Sequence, residues 1–273
     1  MVLENFNAST TYNLQPTTYN LVIMNNNLIQ YIYGIADNSL ILGQRLGELC
    51  GHGPSLETDI ALTNISLDLF GQVRSYFQYA AKLQGEDVTE DTIAFLRKER
   101  EYKNVLLVEQ PNGDFAYSIT RQFLFDNYHL LLLNELQNSK DEMLAAIAKK
   151  SSKEVSYHVR FSTDWIKRLG DGTEESHNKI QTAINDLWIY TDELFHVTDA
   201  DQEMITEGIG VDVRLLKEPF YKKIKEVLEE ATLETPDMKY FQKGGKQGIH
   251  SEHMGFLLSQ MQFMQLAYPN MNW

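Results

Sequence analysis

Four acidic residues stand on apolar faces of helical sequence, where a charged side chain needs a partner. Asp126 lies seven residues from both Ile119 and Leu133, and residues seven apart are nearly in line on a helix. Glu154 repeats this spacing. Carboxylates that point into a core must be paired, ligate a metal or take up a proton. The four acids are Asp37, Asp68, Asp126 and Glu154.

Acids from four long helices are the ligands of a di-iron centre. Such a site takes one acid from each of two helices and a Glu-x-x-His pair from each of the other two. Here the two pair positions hold Asp68 with Gly71, and Glu154 with Tyr157. Glycine offers no donor, and tyrosine replaces an imidazole by a weakly acidic phenol. We therefore expect a degenerate metal site, with no metal or other cofactor in this chain, at Asp37, Asp68, Gly71, Asp126, Glu154 and Tyr157.

The four acids have a structural interpretation and a catalytic one, and we favour the structural one. It pairs them with cations that lie within two turns, namely Arg74, Arg121, Arg160, His129 and His158. The alternative is a metal-dependent oxidase with the ligands Asp126, His129, Glu154 and His158. Ligands and the groups that support them act together, so few metal sites survive partial loss.

The acid-x-x-His spacing occurs twice more, in Glu174 with His177 and in Glu193 with His196. Both pairs lie near the ends of one helix that we expect to be exposed. We interpret them as a solvated helix face.

A segment rich in lysine and glycine near the C-terminus is a second candidate site. It contains Lys239, Lys243 and Lys246 and ends at Gly248. Ammonium groups and the N–H groups of a flexible glycine loop can hold phosphates. The segment lacks P-loop spacing and follows no strand, so a solvated loop is the alternative. The three lysines are therefore predicted to contact either a phosphorylated ligand or a partner, or to be solvated.

The elements that must position these residues are helices. Residues 112–218 contain none of the six prolines, which is typical of long helices. Long helices are predicted over about 26–50, 55–83, 114–138, 142–170 and 173–196, and shorter ones after Thr89 and at 200–207, 213–231 and 251–267. Ser55 is the predicted N-cap of the second helix, and Ser139 with Glu142 forms a capping box for the fourth.

Four helices of this length predict an all-α fold, a ferritin-like four-helix bundle with additional C-terminal helices. Residues 26–273 are predicted to form one domain. Residues 1–25 are rich in Asn, Thr and Ser, and we expect them to form a mobile polar arm.

Composition excludes several classes of function. The net charge of −14 argues against nucleic-acid binding, which needs a basic face. No apolar run approaches the roughly 20 residues of a membrane span, and the N-terminus has no signal-peptide pattern. The single cysteine, Cys50, fits a reducing compartment. We therefore predict a cytoplasmic protein that binds neither membrane nor nucleic acid.

Several ordered stretches resemble a known family of epoxidase subunits. They lie at 42–72, 109–116, 121–129, 157–176 and 244–255, and include LGQRLGELCGHGPSLETDIALTNISLDLFGQ, EQPNGDFA and GGKQGIHSEHMG. The family is the C subunit of the bacterial multicomponent ring-1,2-phenylacetyl-CoA epoxidase. The resemblance covers residues from about 30 to 267, so it is far more specific than any single motif.

The resemblance implies a ferritin-like fold and a place in aerobic phenylacetate degradation. In that family the A subunit is similar in fold and carries the di-iron site that epoxidises phenylacetyl-CoA, with electrons from a separate reductase subunit. The C subunit is its metal-free structural partner, so the expected partners are the di-iron A subunit and other subunits of the complex. Because coenzyme A is polyanionic, the resemblance favours a phosphate contact at Lys243 or Lys246. No catalytic residue is carried over, since Gly71 and Tyr157 do not match a ligand set.

Overall fold

The computed structural model describes residues 16–269 and 271, with side chains from residue 25 onward. Within these residues the regular structure is helical and contains no strand, as the sequence predicted. The α-helices are α1 Pro16–Glu48, α2 Leu56–Gln84, α3 Glu90–Phe95, α4 Leu106–Glu109, α5 Phe115–Leu136, α6 Glu142–Gly170, α7 Glu174–Trp188, α8 Asp199–Glu207, α9 Lys217–Glu230, α10 Glu252–Met261 and α11 Phe263–Ala267. Short 3₁₀ turns occupy Glu99–Glu101, Asp192–Phe195, Val213–Leu216 and Gly245–Gln247.

Two antiparallel helix pairs form the predicted ferritin-like four-helix bundle. Helix α1 packs against α2, α5 packs against α6, and α2 meets α6 across the bundle. The crossover from α2 to α5 spans residues 85–114 and carries α3, α4 and one 3₁₀ turn. Helices α7 and α9 cover α5 and α6, while α8 covers α1. These are the additional helices that the sequence predicted after the bundle.

The structure confirms one of the two predicted N-terminal caps. Ser55 caps α2 as predicted, and its Oγ accepts the N–H of Thr58 at 3.3 Å. The capping box at Ser139 is wrong, because the Ser139 hydroxyl donates to the carbonyl oxygen of residue 209 instead. Asp141 caps α6 and accepts the N–H of Leu144 at 2.9 Å.

Helix α1 begins at Pro16, ten residues before the predicted start at 26. Proline fits this first helical position, where its missing N–H would have no partner within the helix. Residues 1–15 of the predicted polar arm lie outside the described residues, so the arm and the single domain stay predictions.

Two other predicted helices are interrupted. Helix α7 ends at Trp188 rather than at 196, and a separate 3₁₀ turn follows at Asp192–Phe195. The predicted helix at 251–267 is divided at Gln262 into α10 and α11. Helix ends fray, and the last turn is often 3₁₀. The sequence pattern therefore locates the ends of these helices less well than the helices themselves.

A buried ion pair ties the crossover to α1. Arg97 donates from both terminal nitrogens to the two carboxylate oxygens of Asp37, with Nη1 at 2.9 Å from Oδ2. The N–H of Lys103 donates to the same Oδ2 at 2.8 Å. Burial opposes the charge on Arg97, but the Asp37 carboxylate outweighs that cost and raises the pKa of the guanidinium. The guanidinium is surrounded by the rings of Tyr33, Phe77 and Tyr102.

The C-terminal segment is tied to the crossover through Glu109. This fully buried carboxylate accepts the Nδ1–H of His250 at 2.8 Å and the N–H of Ser251 at 2.6 Å. Since His250 Nε2 faces the carbonyl oxygen of Tyr102 at 3.1 Å, both ring nitrogens point at acceptors. This arrangement requires the imidazolium form. Burial opposes that charge, but Glu109 outweighs it and raises the pKa of His250.

Replacing Arg97 by Met tests the dependence of the fold on the buried pair. The change leaves the Asp37 charge without its partner in a fully buried position, so the free energy of unfolding should fall by about 3–5 kcal/mol. Urea unfolding followed by circular dichroism measures the loss. The matched control is Arg74→Met, because the Arg74 side chain is 73% exposed and lies 3.6 Å from Glu90. An equal loss in both variants would show that the buried pair contributes no more to the free energy of unfolding than the exposed pair.

Candidate functional site

The structure disperses the six predicted metal positions. Asp37 is held by Arg97 in the α1–crossover contact. Gly71 lies on the solvent side of α2, and a Cβ added there would meet no atom within 4 Å. Tyr157 is 38% exposed on the outer side of α6. Both positions that would need a histidine therefore face away from the bundle interior.

Asp68 and Glu154 instead join α2 to α6. Oδ2 of Asp68 lies 3.1 Å from Nε2 of His158, which is fully buried. Gln72 donates from Nε2 to Oε2 of Glu154 at 3.1 Å. The two acids thus hold two helices in register. Sequence reasoning missed Gln72, although its seven-residue spacing from Ile65 and Tyr79 placed it on the inward face of α2.

Asp126 is the most isolated of the four acids. It is fully buried in α5 and accepts hydrogen bonds from Gln122 Nε2 at 2.5 Å and from Ser162 Oγ at 2.9 Å. Burial raises the pKa of the Asp126 carboxyl to about 7, and the nearby His158 and the two donors only partly oppose this rise. The carboxyl can therefore take up a proton near neutral pH, which is one of the three ways to accommodate a buried acid.

His129 is a buried neutral histidine beside this acid. Burial, with a smaller contribution from His158, lowers the pKa of His129 to about 3. Its two ring nitrogens make no hydrogen bond to a described residue, and its ring lies 5.1 Å from that of Phe125. His129 is therefore not a counter-ion for Asp126, contrary to the charge network that the sequence suggested.

The residues described do not fit a metal centre. Between residues 25 and 269 no group of three or more His, Cys, Asp or Glu side chains lies close enough to hold a metal ion. The residues searched include the alternative ligand set of Asp126, His129, Glu154 and His158, which therefore forms no such group either. The di-iron centre that a ferritin-like bundle implies thus lacks a donor set here.

The predicted network of cations around the acids is mostly wrong. Of its five members only His158 contacts one of the four acids. Arg74 faces Glu90, and Arg160 lies over the ring of Tyr157 at 5.6 Å. Arg121 donates to the Gln110 carbonyl and to Asn112 Oδ1, and burial lowers its pKa to about 9. Arg97, the main counter-ion, was missed because it lies 60 residues from Asp37 in the chain.

The prediction that Glu193 and His196 lie on a solvated helix face is also wrong. Glu193 is 2% exposed and accepts the N–H groups of Leu106 and Gly244, each at 2.7 Å. It therefore fixes the lysine-rich segment to the crossover. The apolar residues that follow Glu193, namely Leu194 and Phe195, are the sequence feature that indicates a buried position.

The lysine-rich segment is packed rather than flexible. A Cβ on Gly245 would lie 2.2 Å from the Asn104 carbonyl oxygen, and one on Gly248 would lie 2.1 Å from that of Arg100. The N–H groups of residues 244 and 247–249 are all used in bonds within the chain. The interpretation that offers these backbone N–H groups to a phosphate is therefore wrong for residues 244 and 247–249.

The three lysines of the segment have different environments. Lys239 and Lys243 are exposed. The Lys246 side chain is buried, and its Nζ donates to the His196 carbonyl oxygen at 2.6 Å. Burial lowers the pKa of Lys246, while Asp201 and Glu193 oppose that shift. Lys239 and Lys243 are thus the two lysines that can reach a ligand from solvent.

A cavity of 490 Å³ lies beside Lys246, between α1 and the start of α8. Its charged lining mixes Lys103 and Lys246 with Asp199 and Asp201. Because the opposite charges balance, the cavity does not select a polyanion. None of the helices in residues 16–269 is long and apolar enough to cross a membrane.

Comparison with known proteins finds similarity over most of the chain. The protein family described as phenylacetic acid catabolic protein matches residues 13–273. The C subunit of the 1,2-phenylacetyl-CoA epoxidase of Escherichia coli (strain K12) is 48% identical over 248 residues. The match covers 91% of this chain and 100% of that relative.

Asp126→Asn should change the pH dependence of stability. The pKa of Asp126 rises from 3.8 in the unfolded chain to about 7 in the fold, so the folded protein holds a proton that the unfolded chain has lost. Wild-type stability should therefore fall as pH rises from about 4 to 7, by roughly 2–4 kcal/mol from this group. Asparagine stays neutral and can still accept from Gln122, so the variant should lose this slope. Urea unfolding at pH 5, 7 and 8 measures it.

The control for this comparison is Asp164→Asn on the exposed side of α6. It should keep the wild-type slope. Identical pH profiles for wild type and Asp126→Asn would contradict the prediction.

Restoring the missing histidines should not restore a metal site. In the triple variant Asp68→Glu, Gly71→His and Tyr157→His, both Glu-x-x-His pairs are complete in sequence. Because positions 71 and 157 face solvent, the new imidazoles should not converge with Asp126. Iron per chain, measured by plasma mass spectrometry after anaerobic loading, should equal that of the wild type. About two irons per chain, as in a complete site, would show that the bundle can turn these positions inward.

Proposed function

The chain belongs to the phenylacetic acid catabolic protein family, and we propose that it is the non-catalytic structural subunit of a phenylacetyl-CoA 1,2-epoxidase. This enzyme is a multicomponent monooxygenase of aerobic phenylacetate catabolism. In the proposal a separate di-iron subunit performs the epoxidation, and the present chain pairs with it. The relative from Escherichia coli, named as the C subunit of that epoxidase, supports the assignment.

The observation that carries the proposal is the structural use of the bundle acids. Asp37 binds Arg97, Asp68 binds His158, and Glu154 accepts from Gln72. Carboxylates committed in this way hold helices together, and they are not free to form a bridged metal pair. A subunit with this interior supplies its complex with shape and surface rather than with oxidising chemistry.

Other parts of the proposal concern partners and location. Further subunits of the complex, including a reductase, are expected partners. Lys239 and Lys243 are the side chains through which the chain would contact the phosphates of coenzyme A, because they are exposed. A cytoplasmic location is supported by the presence of one cysteine, Cys50, which is free and exposed.

One observation favours a second candidate, a metal-dependent oxidase with Asp126, His129, Glu154 and His158 as ligands, although these four side chains do not converge on a metal position among the described residues. His129 is a buried neutral imidazole with both ring nitrogens unpaired among the described residues, and neutral imidazole is a common metal ligand. Three of these four residues, Asp126, His129 and His158, are buried on the packed helices α5 and α6.

Metal content and reconstitution together separate the two candidates. The chain is expressed alone with added iron, and the di-iron subunit of the same organism is prepared separately. We expect less than about a tenth of an iron per isolated chain, a stable complex on mixing, and epoxidation of phenylacetyl-CoA that requires the di-iron subunit and the reductase. Two irons per isolated chain, lost on His129→Ala, would establish the oxidase instead. Failure of the two chains to associate at micromolar concentration would refute the structural role.

A further inference from the structure

The outer face of α2 and α6 differs in charge from the rest of the protein. Between residues 149 and 168, an exposed arc of α6 about 120° wide, at 100° per residue, carries five exposed cations and one anion, Asp164. A sixth cation in the arc, Lys167, is partly exposed and pairs with Glu230 of α9. The whole chain has a net charge of −14. None of the five cations forms an ion pair with a described residue. They are Lys149, Lys150, Lys153, Arg160 and Arg168.

Large apolar side chains stand among these cations. Tyr157 is 38% exposed, its ring centroid lies 6.2 Å from that of Phe161, and the Arg160 guanidinium lies 5.6 Å from the Tyr157 ring. Met143, at one end of the same stripe, is 46% exposed. Arg168 lies 5.6 Å from the ring of Trp165. Exposed tyrosine and arginine side chains are among the residue types that most often dominate binding energy in protein interfaces.

Helix α2 extends this surface on its other side. The Asp68–His158 contact joins the two antiparallel helices, so the residues that precede each of these, Leu67 and Tyr157, emerge on the same outer side. Leu67 is 61% exposed, and Gly71 leaves open space one turn further along. Two more exposed apolar side chains, Ile60 and Leu56, continue the row at 51% and 71% exposure. We refer to Leu56, Ile60, Leu67, Gly71, Met143, Tyr157 and the five cations as the α2/α6 face.

The size of the α2/α6 face matches a stable protein interface. Helix α6 rises about 38 Å from Met143 to Arg168, α2 rises about 22 Å from Leu56 to Gly71, and each helix is about 10 Å wide. The resulting area of roughly 600 Å² lies within the roughly 600–1,000 Å² that each partner buries in a standard complex. A face this large, apolar along α2 and cationic along α6, suits a protein surface better than a small ligand, which would need a cavity.

We propose that the α2/α6 face is the docking surface for the di-iron subunit, and that the docking surface of that subunit is acidic. The proposal rests on the proposed function, because the partner it names is the catalytic subunit. Charge complementarity selects the orientation: the cationic stripe would direct an acidic partner to this face, while the acidic remainder of the chain would repel it. The exposed side of Gly71 would let a partner helix approach α2 closely.

The test uses charge reversals that are matched in net charge. Lys153→Glu with Arg160→Glu alters the stripe on both sides of Tyr157, and Lys222→Glu with Lys223→Glu makes the same change in charge on α9, where both lysines are exposed. Affinity for the purified di-iron subunit is measured by biolayer interferometry from 50 to 300 mM salt. The stripe variant should bind at least tenfold more weakly and lose most of the salt dependence, while the α9 variant should stay within about threefold of wild type.

Hydrogen exchange of the wild-type complex provides a second measurement that needs no variant. Binding should slow exchange in α6 from 149 to 168 and in α2 from 56 to 71. Protection confined to α10 and α11, or equal losses of affinity in the two charge variants, would overturn the proposal while the structural role stands. Absence of binding by the wild-type chain would instead refute the proposed function itself. Melting temperatures of both variants establish that any loss of binding is not a loss of folding.

Discussion

The contact between Asp37 and Arg97 is the constraint on which much of this fold depends. It places a full ion pair inside the protein, where each charge alone would cost several kcal/mol, and it surrounds the guanidinium with three aromatic rings. The pair fixes the crossover against α1. The crossover in turn holds the C-terminal segment, through Glu109 to His250 and through Glu193 to Gly244. One buried acid thus begins a series of contacts that reaches the last helices.

The same logic explains why a bundle can keep acids in its interior without the ligand set of a metal centre. Each acid has a different partner: the Arg97 guanidinium for Asp37, the His158 imidazole for Asp68, the Gln72 amide for Glu154 and a proton for Asp126. Asp37, Asp68 and Glu154 each bind a residue of another segment, so these contacts link α1 to the crossover and α2 to α6. In the proposed structural role this rigidity would matter, because the subunit would contribute a surface of fixed shape to its complex.

In the proposed role, surface charge is the property through which the subunit would select its partner. An acidic chain repels acidic partners over most of its surface, and five cations that form no ion pair among the described residues stand together on α6 beside exposed apolar side chains of α2. Helix α6 therefore serves two purposes on two sides. Its inner side contributes His158 to the partly exposed Asp68 and Ser162 to the buried Asp126, and its outer side contributes the cations of the α2/α6 face.

The sequence by itself determined the all-α class, the bundle with additional helices and the inward direction of Asp126, because helix periodicity and the placement of proline and glycine are local properties. It also contained the family resemblance, since ordered matches extend over most of the chain. The tertiary structure alone decided which group neutralises each acid. Arg97 and Asp37 are 60 residues apart, and no spacing rule connects them. It also decided that Gly71 and Tyr157 face outward and that the loop glycines are packed against the crossover, because those facts depend on how separate helices meet.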